Sequence, residues 1–291
     1  MYYLGVDVGG TNIAVGIVDE NNAIIAKASH PTPVPCSEDA FCDAILAVCN
    51  DALAKAGLTL DDVPWIGIGC PGTVNRATGI IEFANNLYFK NFKLRDMMAE
   101  RTNGKLVILE NDANAAAYGE YQAGALAGAD NALAITLGTG VGGGIIINGK
   151  VYSGSNFAGG EIGHISLDPQ GPPCACGKRG CLERLVSATS LHARLQRSDE
   201  RMRASILREA GTYLGTALSM PVGLLDLADV CVYGQSDIVN DTLLSAAQAQ
   251  LDLLTGSSFH TRTIIRRCEC KGEITLRGEA LSVLHDYLEN R

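Results

Sequence analysis

One pattern occurs twice in this chain and constrains its fold more than any other. Leu4, Val6 and Val8 alternate with small or polar residues, run into Gly9-Gly10-Thr11-Asn12, and the alternation resumes at Ile13, Val15 and Ile17. Leu133-Ala134-Ile135-Thr136-Leu137 runs in the same way into Gly138-Thr139-Gly140, with Ile145-Ile146-Ile147 as the returning strand. Period-two alternation broken by glycine predicts strand, turn, strand. Two such units about 130 residues apart point to two related lobes, each presenting a backbone loop of phosphate size. A plainer reading, two hairpins whose turns need positive φ, accounts for the same residues.

Between and after these units the pattern is mixed α/β. A polar tip at Asp19–Asn22 turns the chain into a strand over Ala23–Ala28. Ser37 reads as an N-cap with Glu38 and Asp39 in the first turn; Phe41, Ile45, Val48, Cys49 and Leu53 recur at helical spacing until Gly57. Strands follow over Trp65–Gly69 and Leu106–Leu109, then a helix over Ala113–Tyr121. Asn148-Gly149 marks a tight turn. Beyond Gly180 the chain reads as helical to about Leu225, then as a strand over Val230–Tyr233, a helix over Asp241–Leu254 and a last helix from about Gly278.

Composition narrows the class. With 291 residues, 47% hydrophobic and 19% charged, the chain can bury a large core and exceeds the usual single domain. A net charge of −9 argues against gripping a nucleic-acid backbone. It leaves a nucleotide open, because a nest of backbone N–H groups holds phosphate on an acidic protein. An acid at position 7 and no basic n-region argue against a signal peptide, and no apolar window is long enough for a membrane span. Of ten cysteines, Cys36, Cys42, Cys49 and Cys70 are scattered and read as reduced core residues. A cytoplasmic protein is the expectation.

The sharpest motif is His164 followed by Cys174-x-Cys176-x4-Cys181. Three thiolates and one imidazole complete a closed tetrahedral zinc site, with Zn–S near about 2.3 Å and no position left for a reacting water. Its surroundings, Gly171-Pro-Pro-Cys-Ala-Cys-Gly-Lys-Arg-Gly-Cys181, offer no apolar periodicity to bury free thiols. Cys268-x-Cys270 has no His or further Cys nearby in sequence and reads as incidental thiols. Asp112 stands at a strand-to-helix junction, where the pattern alone favours an N-cap. A general base at the carboxyl end of a strand is the functional alternative.

Taken in order, the residues spell a family. Asp7-x-Gly9-Gly10-Thr11, Asn111-Asp112-x-Asn114-Ala115, Gly138-Thr139-Gly140-x-Gly142-Gly143-Gly144, Gly160-Glu161-x-Gly163-His164 and Cys174-x-Cys176-Gly177-x-x-Gly180-Cys181-Leu182-Glu183 together resemble the ROK family (repressor, open reading frame, kinase), which includes bacterial glucokinases. The resemblance covers nearly the whole chain and is strongest to about residue 190. It implies a two-lobed actin-like (ribonuclease H-like) α/β kinase fold with a central cleft, residues 1–115 forming the small lobe and 116–291 the large one. The helix from about 278 is expected to pack back on the small lobe.

The resemblance implies that Asp112 is the base for the attacking sugar hydroxyl, with Asn86, Asn111, Glu161, His164 and Glu183 contacting the sugar. It further implies that Gly9, Gly10, Thr11, Gly138, Thr139 and Gly140 meet the phosphates of ATP, that Asp7 orients Mg2+, and that the zinc is structural. A homodimer is expected on the same ground. Two departures bear on the nucleotide. Asn12 stands where many relatives carry Lys, and Val232-Tyr233-Gly234-Gln235 keeps only Gly234 of a Gly-Gly pair. The expected function is phosphorylation of the 6-hydroxyl of an aldohexose, glucose first, with N-acetylglucosamine and N-acetylmannosamine as alternatives. A non-catalytic sugar sensor with a weakened nucleotide site is the runner-up. The chain begins directly at the phosphate-loop strand, so a DNA-binding repressor is not expected.

Overall fold

The computed structural model describes residues 1–256, 262–269 and 278. The described chain forms two compact units, one built on Met1–Ala123 with Ser153–Ala158, the other on Gly124–Tyr152 with Gly159–Glu269. The first unit keeps the helix that follows Asn111 whole. The expected helix from about 278 lies outside the described residues, apart from Gly278 itself.

The first unit runs β1 (Tyr2–Val8), β2 (Asn12–Asp19), β3 (Ile24–Pro31), α1 (Glu38–Ala56), β4 (Trp65–Cys70), β5 (Thr73–Asn75), β6 (Ile80–Ala84), β7 (Phe89–Phe92), α2 (Leu94–Arg101), β8 (Leu106–Asn111) and α3 (Asp112–Ala123). Its main sheet has the order β3-β2-β1-β4-β8, antiparallel from β3 to β1 and parallel from β1 to β8. Strands β1 and β4 are almost wholly buried, as expected when helices cover a parallel region. Helix α1 is bounded as its sequence predicts. Ser37 accepts the Ala40 N–H, and Gly57 ends the helix in the left-handed region at φ 69°. Such a cap is worth about 0.5–2 kcal/mol. A second small sheet, β5-β6-β7, packs Phe89 and Phe92 edge-on against Phe41 of α1.

The second unit runs β9 (Ala132–Leu137), β10 (Val141–Ile147), β11 (Lys150–Val151), α4 (Leu182–Val186), α5 (Ala188–Leu195), α6 (Glu200–Leu225), β12 (Asp229–Gly234), α7 (Asp241–Thr255) and β13 (Ile264–Arg267). Its sheet has the order β11-β10-β9-β12-β13, again antiparallel from β11 to β9 and parallel from β9 to β13. Asn148 and Gly149 both have positive φ, the conformation that makes β10–β11 a tight hairpin. Helices α6 and α7 approach closely because Gly211 and Gly215 present no side chain to the Leu243 and Ala247 carbonyls. Among the described residues, no helix is long and apolar enough to cross a membrane.

Candidate active site

Each main sheet opens on a glycine turn, and both turns are fastened through their carbonyls. In the first, the Gly9 N–H donates to the Asn12 carbonyl (2.9 Å), while Thr32 donates from Oγ1 to the Gly9 carbonyl (2.6 Å) and from N–H to the Thr11 carbonyl (2.9 Å). In the second, the Gly138 N–H donates to the Gly140 carbonyl (3.0 Å). The Ala188 N–H donates to the Gly138 carbonyl (2.9 Å), and Thr189 Oγ1 to that of Thr139 (3.1 Å). The leading glycine of each turn therefore spends its N–H on closing the turn. The amides of Gly10 and Thr11, and of Thr139 and Gly140, make no backbone hydrogen bond among the described residues. Sequence spacing did not distinguish these roles.

Two polar side chains stand against the turns. Gly10 approaches Asn86, in a 3-10 turn at Asn85–Leu87, so closely that a Cβ on Gly10 would lie 3.5 Å from that of Asn86. Gly140 faces Glu183, whose Oε2 accepts the Val141 N–H at 3.2 Å and would be struck by a Cβ on Gly140. The first turn also ends the strand that carries Asp7. Burial, and then the nearby Asp112 charge, push the Asp7 carboxyl up to about 7.

At the end of β8 the cap of α3 differs from the expectation. Asn111 is the N-cap: its Oδ1 accepts the N–H groups of Ala113 (3.0 Å) and Asn114 (3.2 Å). Asn and Asp are equally good caps, so the pattern could not choose between neighbours. Asn111 Nδ2 donates to the Gly72 carbonyl (3.1 Å), which locks the rotamer. Asp112 becomes the first helical residue, with Oδ1 2.9 Å from the Ala113 N–H. A carboxylate there is favoured by the positive helix end. The buried Glu110, which sequence reading passed over, accepts from both the Asn111 N–H and Asn114 Nδ2 at 2.9 Å. Its signal was a charge inside the strand pattern Leu106-Val107-Ile108-Leu109-Glu110.

In the second unit the structure gathers His164, Cys174, Cys176 and Cys181, one donor atom from each lying within 4.8 Å of all the others. His164 Nδ1 is 3.7 Å from Cys174 Sγ, and Cys176 Sγ is 3.6 Å from Cys181 Sγ. Ligands about 2.3 Å from a tetrahedral zinc stand roughly 3.8 Å apart, so the donor set fits that ion. The loop holds its shape through Cys174 N–H to the Lys178 carbonyl (2.8 Å), Gly180 N–H to Pro172 (2.9 Å) and Leu182 N–H to Ile165 (2.9 Å). The Lys178 N–H lowers the Cys176 thiol below its ordinary value, while burial pushes Cys181 up to about 12. With Nδ1 towards the thiols, His164 Nε2 points to Glu161 Oε2 at 3.9 Å. Glu183 Oε1 lies 4.0 Å from Cys174 Sγ, so this carboxylate spans the cysteine cluster and the glycine turn.

Gly234 ends β12 where a Cβ would meet Val239 Cγ2 at 2.6 Å, so packing alone demands glycine. Asn12 and Gln235 are exposed, and Tyr233 is half-buried. Cys42, Cys49 and Cys70 are buried and Cys36 packs against the same core. Cys268 is not isolated, because β12 and β13 bring its Sγ within 3.1 Å of Cys231 Sγ, a neighbour remote in sequence. Cys270 lies outside the described residues.

Two five-stranded mixed sheets of one topology, each opening on a glycine turn, define an α/β protein of the actin-like ATPase class. The chain belongs to the ROK family, whose family model matches residues 3–217. It is 40% identical over 205 residues to a glucokinase of Thermotoga maritima, covering 70% of this chain and 63% of the relative. It is 39% identical over 199 residues to an N-acetylmannosamine kinase of Vibrio vulnificus, covering 67% and 64%. The chain's match thus spans less than two thirds of either curated relative. A ROK family glucokinase from Streptomyces griseus, crystallised with glucose and AMPPNP, superposes with a TM-score of 0.83 at 30% identity, covering 97% of this chain and 99% of that one.

Proposed function

We propose that the chain is an ATP-dependent sugar kinase that phosphorylates the 6-hydroxyl of an aldohexose, glucose first, with Asp112 as general base. The observation that carries this reading is the first turn of α3. Asn111 takes the cap, and the Asp112 carboxylate stands at the helix N-terminus as the first helical residue, with Oδ1 2.9 Å from the Ala113 N–H. Glucose is preferred because glucokinases stand among the relatives at 40% identity and the Streptomyces structure holds glucose.

In the first unit, Asn86 and the remaining Nδ2 hydrogen of Asn111 are assigned to sugar hydroxyls. In the second, Glu161, His164 Nε2 and Glu183 take the same role. Each buried sugar hydroxyl left unpaired would cost about 1–3 kcal/mol, so fixed polar rotamers discriminate between epimers. The amides of Gly10, Thr11, Thr139 and Gly140, which make no backbone hydrogen bond among the described residues, suit phosphate oxygens, and phosphoryl transfer asks mainly for such positioning. Asp7 is assigned to Mg2+, whose charge would return its raised carboxyl to the ionised form. Zinc held by His164, Cys174, Cys176 and Cys181 would fix the loop that delivers His164 Nε2 and Glu183.

A second reading, a kinase for an acetamidohexose, is favoured by the N-acetylmannosamine kinase relative at 39% identity. The test is ADP release with Mg·ATP over a panel of hexoses and acetamidohexoses, with Asp112→Asn as the blank. Turnover with glucose that is absent in the variant supports the proposal. Turnover confined to an acetamidohexose transfers it to the second reading. Sugar binding without any turnover points to a sensor.

A further inference from the structure

A charged side chain with 2% of its surface exposed demands explanation, because an unpaired buried carboxylate is among the costliest features a fold can carry. Glu110 is that residue. It is the penultimate residue of β8, and its two carboxylate oxygens have separate duties. Oε1 accepts the backbone N–H of Asn111 and the side-chain Nδ2 of Asn114, both at 2.9 Å. Oε2 accepts from Arg76 Nη1 at 3.2 Å, across from the turn between β5 and β6. The two groups held by Oε1 stand on either side of Asp112, one residue before it and two residues after it.

We infer that Glu110 is a positioning residue for Asp112, holding the strand end and the first helical turn in one register through Asn111 and Asn114, with Arg76 as its anchor. The inference rests on the reading of Asp112 as the base. Three features carry it. A carboxylate only accepts hydrogen bonds, so it fixes the Asn114 amide with Nδ2 towards β8. That leaves Asn114 Oδ1 buried and, among the described residues, without a hydrogen-bond partner, a cost that a merely space-filling residue would avoid. Packing of α3 does not need the charge either, since Ala113, Ala115, Ala116 and Ala117 are already buried.

A Glu110 with no role beyond the fold would change stability and the fraction of competent protein, not the turnover of each competent site. The experiment therefore measures kcat, glucose KM and glucose Kd on the full-length chain, with active sites counted by glucose-binding stoichiometry. The variants are Glu110→Gln, Glu110→Ala and Arg76→Gln. Gln keeps an acceptor for the Asn111 N–H, so the expected fall in kcat is about 10–100-fold for Ala and smaller for Gln, with glucose Kd moving less than about threefold. Arg76→Gln, a change on a partly exposed turn, removes the anchor without touching β8 and is expected to lie between wild type and Glu110→Ala.

The decisive arm is a double-mutant cycle with Asp112→Asn. If Glu110 acts through Asp112, Glu110→Ala costs nothing further in the Asp112→Asn background. Additive losses, or wild-type kcat per competent site in both Glu110→Gln and Arg76→Gln, overturn the inference. If Glu110→Ala does not fold, the Gln variants carry the cycle. A fully active Asp112→Asn would instead remove the underlying assignment of the base, a failure distinct from that of Glu110.

Discussion

The two main sheets have one plan, β3-β2-β1-β4-β8 in the first unit and β11-β10-β9-β12-β13 in the second, with the same sequence of antiparallel and parallel pairings. What differs is what the connections carry. The first unit inserts the β5-β6-β7 sheet between its parallel strands and passes from β8, ending at Asn111, directly into α3 at Asp112. The second inserts the His164–Cys181 loop and three helices between β11 and β12. Where the first turn follows Asp7, the second follows Thr136. A common scaffold therefore carries the residue proposed for proton transfer on one copy and a loop with a zinc-type donor set on the other. Function on such folds lies in the connections at strand ends, not in the sheet.

Removing the Asp112 carboxylate at the start of α3 tests that division most severely. Asp112→Asn keeps the shape of the α3 turn and is expected to lower kcat by about 10²–10⁴-fold with glucose Kd nearly unchanged. Equilibrium binding beside ADP release checks both halves; near-normal turnover would remove the base and with it the asymmetry between the units.

A stability effect follows from Asp7, which has no acidic counterpart in the second turn. Its carboxyl is raised to about 7 by burial and by Asp112, so in the absence of Mg2+ the folded state retains a proton that the unfolded state releases near its ordinary value of 3.8. Protons bound in the folded state exceed those in the unfolded state between these limits. Stability from this group is thus fully present below about 4, declines as pH rises and is lost above about 7. The difference in unfolding free energy, from urea titrations, between Asp7→Asn and wild type should grow in favour of the variant from pH 5 to pH 8, by on the order of a few kcal/mol at most. Parallel profiles would show that the carboxyl titrates normally.

The loop that carries the His164, Cys174, Cys176 and Cys181 donor set should respond on its own. Cys176→Ser is expected to lose stoichiometric zinc and to weaken glucose affinity by about 10–100-fold, because the ligands orient His164 and the loop before Glu183. Elemental analysis and calorimetry measure the two effects. Zinc retained at wild-type stoichiometry would sink the four-ligand assignment.

Much of this architecture was legible because its signals are local. The Ser37 cap, the Gly57 stop and the two glycine turns each follow from one residue's stereochemistry, and the structure has all of them. The β5-β6-β7 sheet was not legible: its strands are three to five residues long, too short for a period-two pattern to emerge. Helix α2 escaped because Arg95, Asp96, Glu100 and Arg101 leave little apolar stripe, and β13 because half its residues are exposed arginines. At the site, the residue types were legible and their division of labour was not. Whether Asn111 or Asp112 caps α3, and which amide of a glycine turn stays free, depend on hydrogen bonds that spacing does not encode.

The smallest expected effects come from the paired turns themselves. Gly10 and Gly140 both have ordinary negative φ, so alanine is compatible with the backbone at either position and only the neighbour decides the outcome. At Gly10 the new Cβ would meet Asn86 at 3.5 Å, an ordinary contact that needs no movement. At Gly140 it would run into Glu183 Oε2, and a carboxylate at the end of a flexible side chain can swing away. Doing so breaks its bond to the Val141 N–H and withdraws it from Cys174. Gly140→Ala should therefore keep a melting temperature within a few degrees of wild type while raising glucose Kd several-fold, by about 1 kcal/mol for one displaced hydrogen-bonding group. Gly10→Ala should leave glucose Kd alone. Equal effects of the two substitutions would mean that Glu183 does not depend on the turn beside it, and that the likeness of the two turns extends to their neighbours.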